Sequence, residues 1–138
     1  MASEIIFKAI PADSLVLDGL EAAARLKVRL GYSHELIEEC KKRLIGVIDC
    51  RFCAVRTEIR YPAENMVDIG FGEFKSRSLY KNLDGSGQAF IFAVTLGLGV
   101  DRLLLKLSCV SSAEYFITDA LASAYTESAC DEAQRLIT

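Results

Sequence analysis

The stretch AFIFAVTLGLGVD, residues 89–101, contains the change of pattern that decides the fold. Its first part, Ala89 to Thr95, is apolar on both faces, which is typical of a central strand that is covered on each side. Gly97 and Gly99 interrupt this strand, and a helical pattern runs from Val100 to Cys109. The stretch therefore predicts a strand, a glycine turn and a helix in direct succession.

On the N-terminal side, one strand and two helices are predicted. Residues 4–10 are β-prone and end at Pro11, and a loosely helical pattern runs from Asp13 or Ser14 to Gly31. Ser33 can cap the second helix. The apolar face of that helix repeats at steps of three and four residues: Leu36, Ile37, Cys40, Leu44, Val47 and Ile48.

A period of two begins at Cys53 and predicts a half-exposed strand that ends near Tyr61. A turn at residues 62–65 leads to a second alternating segment, residues 67–71, so we expect an antiparallel ribbon there. A short helix follows from Ser76 or Ser78 to Leu83. The outward side of the first strand carries three charged residues, which we interpret as a solvated face: Arg56, Glu58 and Arg60.

The last helix is predicted from about Ala113 to the end of the sequence, with Ser111 or Ser112 as its cap. Apolar periodicity still continues at Thr138, and we expect that more sequence followed in the ancestor or in the native product. The elements together predict one α+β domain, residues 1–138, in which a largely antiparallel twisted sheet packs against several helices.

Composition limits the classes of function. The 138 residues are 51% hydrophobic, which is enough for one sizeable core. The formal charge is −3 and the Lys and Arg residues are scattered, so nucleic acid is not an expected partner. Residues 1–7 lack the features of a secretory signal, and no apolar run is long enough to cross a bilayer. We therefore expect no membrane partner.

The five cysteines are an odd number at irregular spacings, which indicates reduced thiols and a cytoplasmic protein. Cys50 and Cys53 have the C-x-x-C spacing of a redox couple or of half a zinc site. No second such pair exists, and the spacing falls at a predicted junction between helix and strand. Ordinary semi-buried cysteines are the favoured interpretation, and no metal site is predicted.

Three other features have a structural interpretation and a functional one. The turn at Gly97 and Gly99 could direct backbone N–H groups at a phosphate, but Asp101 would repel that anion, so a structural tight turn is favoured. His34 lies in the first turn of a predicted helix and is interpreted as a surface histidine. A polar stripe on the last helix recurs at every fourth residue, either as its water-facing side or as a ligand-binding edge: Asp119, Ser123, Glu127, Asp131 and Arg135.

An ordered set of segments resembles the activation domain of cobalamin-dependent methionine synthase. It covers roughly residues 28–138, most of the chain, with order and spacing preserved. The segments are Val28-Arg29-Leu30-Gly31-Tyr32, Ser76-Arg77-Ser78-Leu79-Tyr80-Lys81-Asn82-Leu83, Ala89-Phe90-Ile91-Phe92-Ala93-Val94-Thr95-Leu96-Gly97, Val100-Asp101-Arg102, and Asp119-Ala120-Leu121-Ala122-Ser123-Ala124 with Glu127, Cys130 and Asp131.

The resemblance implies an accessory role in a methyltransferase. Such domains bind S-adenosylmethionine and dock onto the corrinoid-binding module once its cofactor has become cob(II)alamin. An electron and a methyl group then restore methylcobalamin. S-adenosylmethionine is therefore a candidate ligand, whereas cobalamin is expected only through the partner.

Glu127 matches an acidic ligand-facing position of the family, and we expect it to line the concave side of the sheet. No catalytic residue is assigned. The family's C-terminal part has no counterpart in this sequence; there, an arginine and a Gly-Tyr turn hold the nucleoside and methionine groups. A second chain could complete the site, and a homo-oligomer is one such arrangement.

Two further functions stay open. The chain could be a non-catalytic interaction or assembly module that keeps the fold without binding the ligand. A small thiol-redox protein based on Cys50 and Cys53 is the weakest alternative.

Overall fold

An α+β fold is formed by residues 5–15 and 31–137, the part of the chain described in this computed structural model. Most of the helix predicted between Asp13 or Ser14 and Gly31 falls on residues 16–30 and lies outside the described residues. The strands are β1 (Ile5–Ile10), β2 (Cys50–Glu58), β3 (Met66–Asp68), β4 (Glu73–Lys75) and β5 (Gln88–Thr95). The helices are α1 (His34–Ile45), α2 (Arg77–Leu83), α3 (Leu98–Val110) and α4 (Ser112–Ile137), and a 3-10 turn occupies Ala12–Ser14.

Serine caps fix the starts of three helices, as the sequence predicts. The Ser33 hydroxyl accepts a hydrogen bond from the Leu36 backbone N–H, and Ser76 does the same for Leu79 at the start of α2. Ser111 accepts from the Glu114 N–H in the first turn of α4. Each hydroxyl satisfies a backbone donor that the first turn of a helix leaves without a partner.

The three-stranded antiparallel sheet has the order β1-β2-β5, so β2 is its central strand. The prediction that Ala89 to Thr95 forms the central strand is wrong. Among the described strands β5 lies at the edge of this sheet, and none of its residues is fully buried. Phe90, for example, is 42% exposed. The apolar composition of β5 therefore does not mean that both of its faces are buried.

Strand β2 buries opposite faces in its two halves. Cys50, Phe52 and Ala54 are buried in the first half, whereas Thr57 and the following Ile59 are buried at the other end. The alternation predicted from Cys53 onwards is therefore confirmed at Thr57 and Ile59, which are buried. Its outward charged residues, Arg56, Glu58 and Arg60, are all exposed, as predicted.

The second ribbon differs from the predicted one. We expected residues 67–71 to pair with the preceding strand, but their backbones form a single isolated antiparallel bridge, Arg60 to Asp68. Strand β3 instead pairs with β4, with Val67 opposite Phe74. The Ile69 N–H donates to the Gly72 carbonyl to close the turn between them. A strand of three residues, Glu73–Lys75, is too short to show an alternating pattern in the sequence.

The described residues divide into two compact units. We call the first the hairpin unit; it comprises residues 5–7 and 53–93. We call the second the helical unit; it comprises residues 8–15, 31–52 and 94–137.

In the helical unit, α4 packs against both α1 and α3. Its inner face carries both large and small side chains: Ile117, Thr118, Leu121, Ala122, Tyr125, Ala129 and Ala133. Phe116, which precedes Ile117 on the same helix, is exposed. The Arg43 guanidinium of α1 lies 3.6 Å from the Glu114 carboxylate of α4.

Candidate functional site

The glycine turn before α3 is explained by close packing. Gly97 has φ +95°, and a Cβ there would lie 2.9 Å from the Asp49 carbonyl oxygen. A Cβ at Gly99 would lie 2.8 Å from the Val47 carbonyl oxygen. Both distances are shorter than a side chain tolerates, so each glycine lets α3 begin against the segment that precedes β2. The structural interpretation of this motif is supported by these contacts.

The polar stripe of α4 faces outward. All five of its members are exposed, as the water-facing interpretation requires: Asp119, Ser123, Glu127, Asp131 and Arg135. Glu127 forms none of the ion pairs found among the described residues, whereas Arg135 pairs with Glu132. The carboxylate of Glu127 is thus available to a ligand, and its assignment to one remains a prediction.

The C-x-x-C pair lies on a strand and not at a junction between helix and strand, because β2 begins at Cys50. Cys50 is buried and Cys53 is half-buried, and all five cysteines are free. Burial raises the pKa of the Cys50 thiol, and the neighbouring Asp49 carboxylate raises it further. Since the thiolate is the reactive form, Cys50 is a poor nucleophile.

The remaining predicted candidates are surface groups. His34 is exposed in the first turn of α1, as the sequence suggested. The Arg60 guanidinium lies 3.8 Å from the Glu58 carboxylate, so this pair is formed along the chain and not across two strands. Across the part of the chain that the structure describes, no three His, Cys, Asp or Glu side chains come together as a metal-binding group.

A cleft in the hairpin unit was not found by sequence analysis. Its volume is about 540 Å³. It brings together aromatic, cationic, amide and carboxylate side chains with one glycine: Tyr61, Asn65, Arg77, Tyr80, Lys81, Asp84 and Gly85.

Helix α2 supplies one side of this cleft. Arg77 and Lys81 are four residues apart, and Tyr80 is three residues after Arg77, so the three side chains share one helix face. The helix ends at Asp84 in a left-handed conformation, φ 47°. The spacing R-x-x-Y-K is present in the sequence, but it does not predict a cleft, because the cleft also needs a second segment that faces the helix.

That second segment is the turn before β3. The Tyr61 ring packs edge-on against Tyr80, with ring centroids 5.7 Å apart and an interplanar angle of 89°. The Tyr61 hydroxyl donates a 2.8 Å hydrogen bond to the Ser86 carbonyl. The Ser76 N–H donates to the Asn65 carbonyl at 2.8 Å, which ties the turn to the start of α2. These contacts join residues far apart in sequence.

Comparison with known proteins leaves the family unassigned: no protein-family model matches the chain, and no curated protein matches it either. Within residues 5–15 and 31–137, none of the helices combines the length and the apolar character needed to span a bilayer.

Proposed function

We propose that the chain is a component of the reductive reactivation of a cobalamin-dependent methionine synthase. In this proposal it works in the cytoplasm, binds the corrinoid-binding module in its cob(II)alamin state, and has S-adenosylmethionine as its candidate ligand. Any enzymatic activity belongs to the assembled methyltransferase, to which this chain is an accessory.

One observation carries the proposal. Four of the five segments that resemble the activation domain fall on consecutive elements of an α+β fold, namely α2, β5, α3 and α4, whereas most of the first, residues 28–32, lies outside the described residues. The glycines of the T-L-G-L-G segment are also needed sterically, since a Cβ at Gly97 or Gly99 would meet backbone oxygen at under 3 Å. These glycines have a steric role, and the segments keep the order that they have in the family. Together these two facts support a shared fold more strongly than sequence similarity of short segments alone.

The exposure of Glu127 supports the ligand part of the proposal. Its side chain is exposed on α4 and has no ion-pair partner among the described residues. A carboxylate can hold the ribose hydroxyls or the ammonium group of S-adenosylmethionine. A zwitterionic sulfonium ligand needs several convergent polar groups, so Glu127 would be one contact of several.

Calorimetry with S-adenosylmethionine tests the ligand part. Saturable binding that is lost in Glu127→Gln supports it. The matched control is Glu39→Gln, which removes a charge from another exposed carboxylate, on α1. Both variants should keep the unfolding free energy within about 0.5 kcal/mol, since both positions are on the surface.

Activity gives the second test. A methionine synthase that has been oxidised to cob(II)alamin should recover turnover when this chain, S-adenosylmethionine and a reductant are added together. We expect Glu127→Gln to abolish that recovery and Glu39→Gln to retain it. Full recovery with Glu127→Gln would remove Glu127 from the site. Binding to the corrinoid module without any binding of S-adenosylmethionine would establish the interaction-module alternative instead.

A further inference from the structure

Within residues 5–15 and 31–137, the two cations of the cleft in the hairpin unit have no ion-pair partner. Neither Arg77 nor Lys81 forms an ion pair or a side-chain hydrogen bond within the described residues. Arg43, Arg51 and Arg60, in contrast, each lie within 4 Å of a carboxylate. At a spacing of four residues on one helix, the Cβ atoms of Arg77 and Lys81 are about 5–6 Å apart. That spacing suits one tetrahedral anion between a guanidinium fork and an ammonium group.

The aromatic wall beside these cations is held in place before any ligand arrives. The Tyr61 hydroxyl is tied to the Ser86 carbonyl, and its ring packs edge-on against Tyr80. Because the two rings are perpendicular, a planar group that enters the cleft can lie on one ring face and meet the edge of the other. A wall of fixed rings costs little conformational entropy on binding.

Two further polar groups complete the cleft. Asn65 has a left-handed backbone, φ 61°, and its amide can both donate and accept hydrogen bonds. The Asp84 carboxylate lines the same cleft but forms no ion pair with Lys81 or Arg77. It can accept hydrogen bonds from hydroxyl groups of a ligand, while its charge offsets part of the attraction that the two cations exert on a phosphate.

We propose that this cleft binds a phosphate monoester that carries a planar ring and hydroxyl groups, of the size and chemistry of a mononucleotide. Arg77 and Lys81 hold the phosphate, Tyr61 and Tyr80 receive the ring, and Asn65 and Asp84 bind polar edges. The volume of about 540 Å³ lies within the range of small-molecule sites. The reactivation function assigns its ligand contact to Glu127, which does not line this cleft, so binding at the cleft can be tested independently of it.

The first experiment titrates the full chain with adenosine 5′-monophosphate, adenosine and inorganic phosphate, followed by ¹H–¹⁵N NMR. We expect the mononucleotide to bind with a Kd of about 0.1–1 mM, and each separate half to bind at least about tenfold more weakly. Shift changes should concentrate at the backbone amides of Asn65 and Gly85. No saturation by about 10 mM mononucleotide, or shifts confined to other parts of the chain, would overturn the proposal.

The second experiment separates the cleft from general electrostatics. Arg77→Gln with Lys81→Gln should weaken mononucleotide binding by about tenfold or more, because two charge-assisted contacts are lost. The matched control is Arg56→Gln with Lys106→Gln, which removes the same charge from exposed positions outside the cleft. An equal loss in both double variants would mean diffuse attraction and would overturn the proposal.

A third variant tests the ring contact. Tyr80→Leu keeps an apolar group of similar reach but removes the aromatic face, so mononucleotide affinity should fall towards that of inorganic phosphate. Unchanged mononucleotide affinity in Tyr80→Leu would contradict the ring contact. Because the NMR titration of the unmodified chain stands by itself, failure of any variant to fold leaves the proposal testable.

Discussion

The helical unit and the hairpin unit differ in how many apolar side chains they bury and in how many aromatic and polar groups they expose. Within residues 5–15 and 31–137, all but three of the buried apolar side chains belong to the helical unit; the exceptions are Ala54, Ile59 and Val67. The hairpin unit instead exposes aromatic residues such as Phe71 and Phe74 and lines the cleft with polar groups. Since burial of apolar surface dominates folding free energy, we infer that the helical unit supplies most of the stability. In the hairpin unit, the charged cleft side chains Arg77, Lys81 and Asp84 form no ion pair with other described residues.

The largest effect is expected from a pair of identical substitutions on two helices. Leu44 of α1 is 0% exposed, whereas Leu105 of α3 is 69% exposed. Leu44→Ala should lower the unfolding free energy by about 2–5 kcal/mol through lost burial and a cavity. Leu105→Ala should change it by no more than about 0.5 kcal/mol. Urea denaturation of both variants measures the difference, and equal effects would mean that the helical core is placed wrongly.

The glycine turn gives the next largest effect. Gly97→Ala would put a Cβ 2.9 Å from the Asp49 carbonyl oxygen at a φ of +95°. We expect a loss of about 1–3 kcal/mol, since both steric contact and backbone strain act against alanine. Gly87→Ala is the control, because no heavy atom lies within 4 Å of a Cβ built there. A thermal melt that shows Gly97→Ala as stable as Gly87→Ala would contradict the packing account of this motif.

A smaller effect is expected where the β3–β4 hairpin is attached to β2. The Thr57 hydroxyl donates a 2.7 Å hydrogen bond to the Ile69 carbonyl. Thr57→Val removes the donor at similar volume and should cost about 1–2 kcal/mol. Thr126→Val is the control, because that hydroxyl bonds only to the Ala122 carbonyl within the same helix, and the change should cost under about 0.5 kcal/mol. Hydrogen exchange should show faster opening of residues 66–75 in Thr57→Val alone.

The smallest effect concerns the buried thiols of the helical unit. Burial raises the pKa of both Cys40 and Cys50 above the usual value of 9.0. The folded state therefore keeps these protons longer than the unfolded state does. Their contribution to stability is complete below pH 9 and is lost as pH rises through the folded values.

Thiol labelling at pH 8 gives the matching kinetic test. Cys109 is exposed and should react first, whereas Cys40 and Cys50 should react only as fast as the protein opens. Urea midpoints at pH 7.5 and pH 10 should show a decrease at the higher pH. Rapid labelling of Cys50 in the folded protein would contradict its burial and would revive the thiol-redox hypothesis.

The starts of α1, α2 and α4 could be predicted from the sequence because their signals are local, whereas α1 ends at Ile45, before the predicted face positions Val47 and Ile48. Ser33 and Ser76 act within three residues of themselves, and the three- and four-residue steps of α1 identified Ile37, Cys40 and Leu44 as buried. The alternating pattern of β2 worked for the same reason. A structural feature can be predicted from the sequence when the interacting groups lie within one helical turn or a few strand residues of each other.

The position of β5 and the cleft could not be predicted because both depend on distant segments. An apolar strand can lie at an edge or in the centre, and its own residues do not record how many neighbours pair with it. The cleft needs Tyr61 to contact Tyr80 across eighteen intervening residues, which include the whole β3–β4 hairpin. Likewise, the packing reason for Gly97 became visible only when Asp49 was found beside it.

Complex formation with the corrinoid-binding module tests the proposed function most directly. The chain should be titrated into an isolated module of a cobalamin-dependent methionine synthase that carries either cob(II)alamin or methylcobalamin, with the complex measured by sedimentation velocity. The account predicts saturable binding that is clearly tighter for the cob(II)alamin state. Absence of a complex with either state, or equal affinity for both, would contradict a role in reactivation.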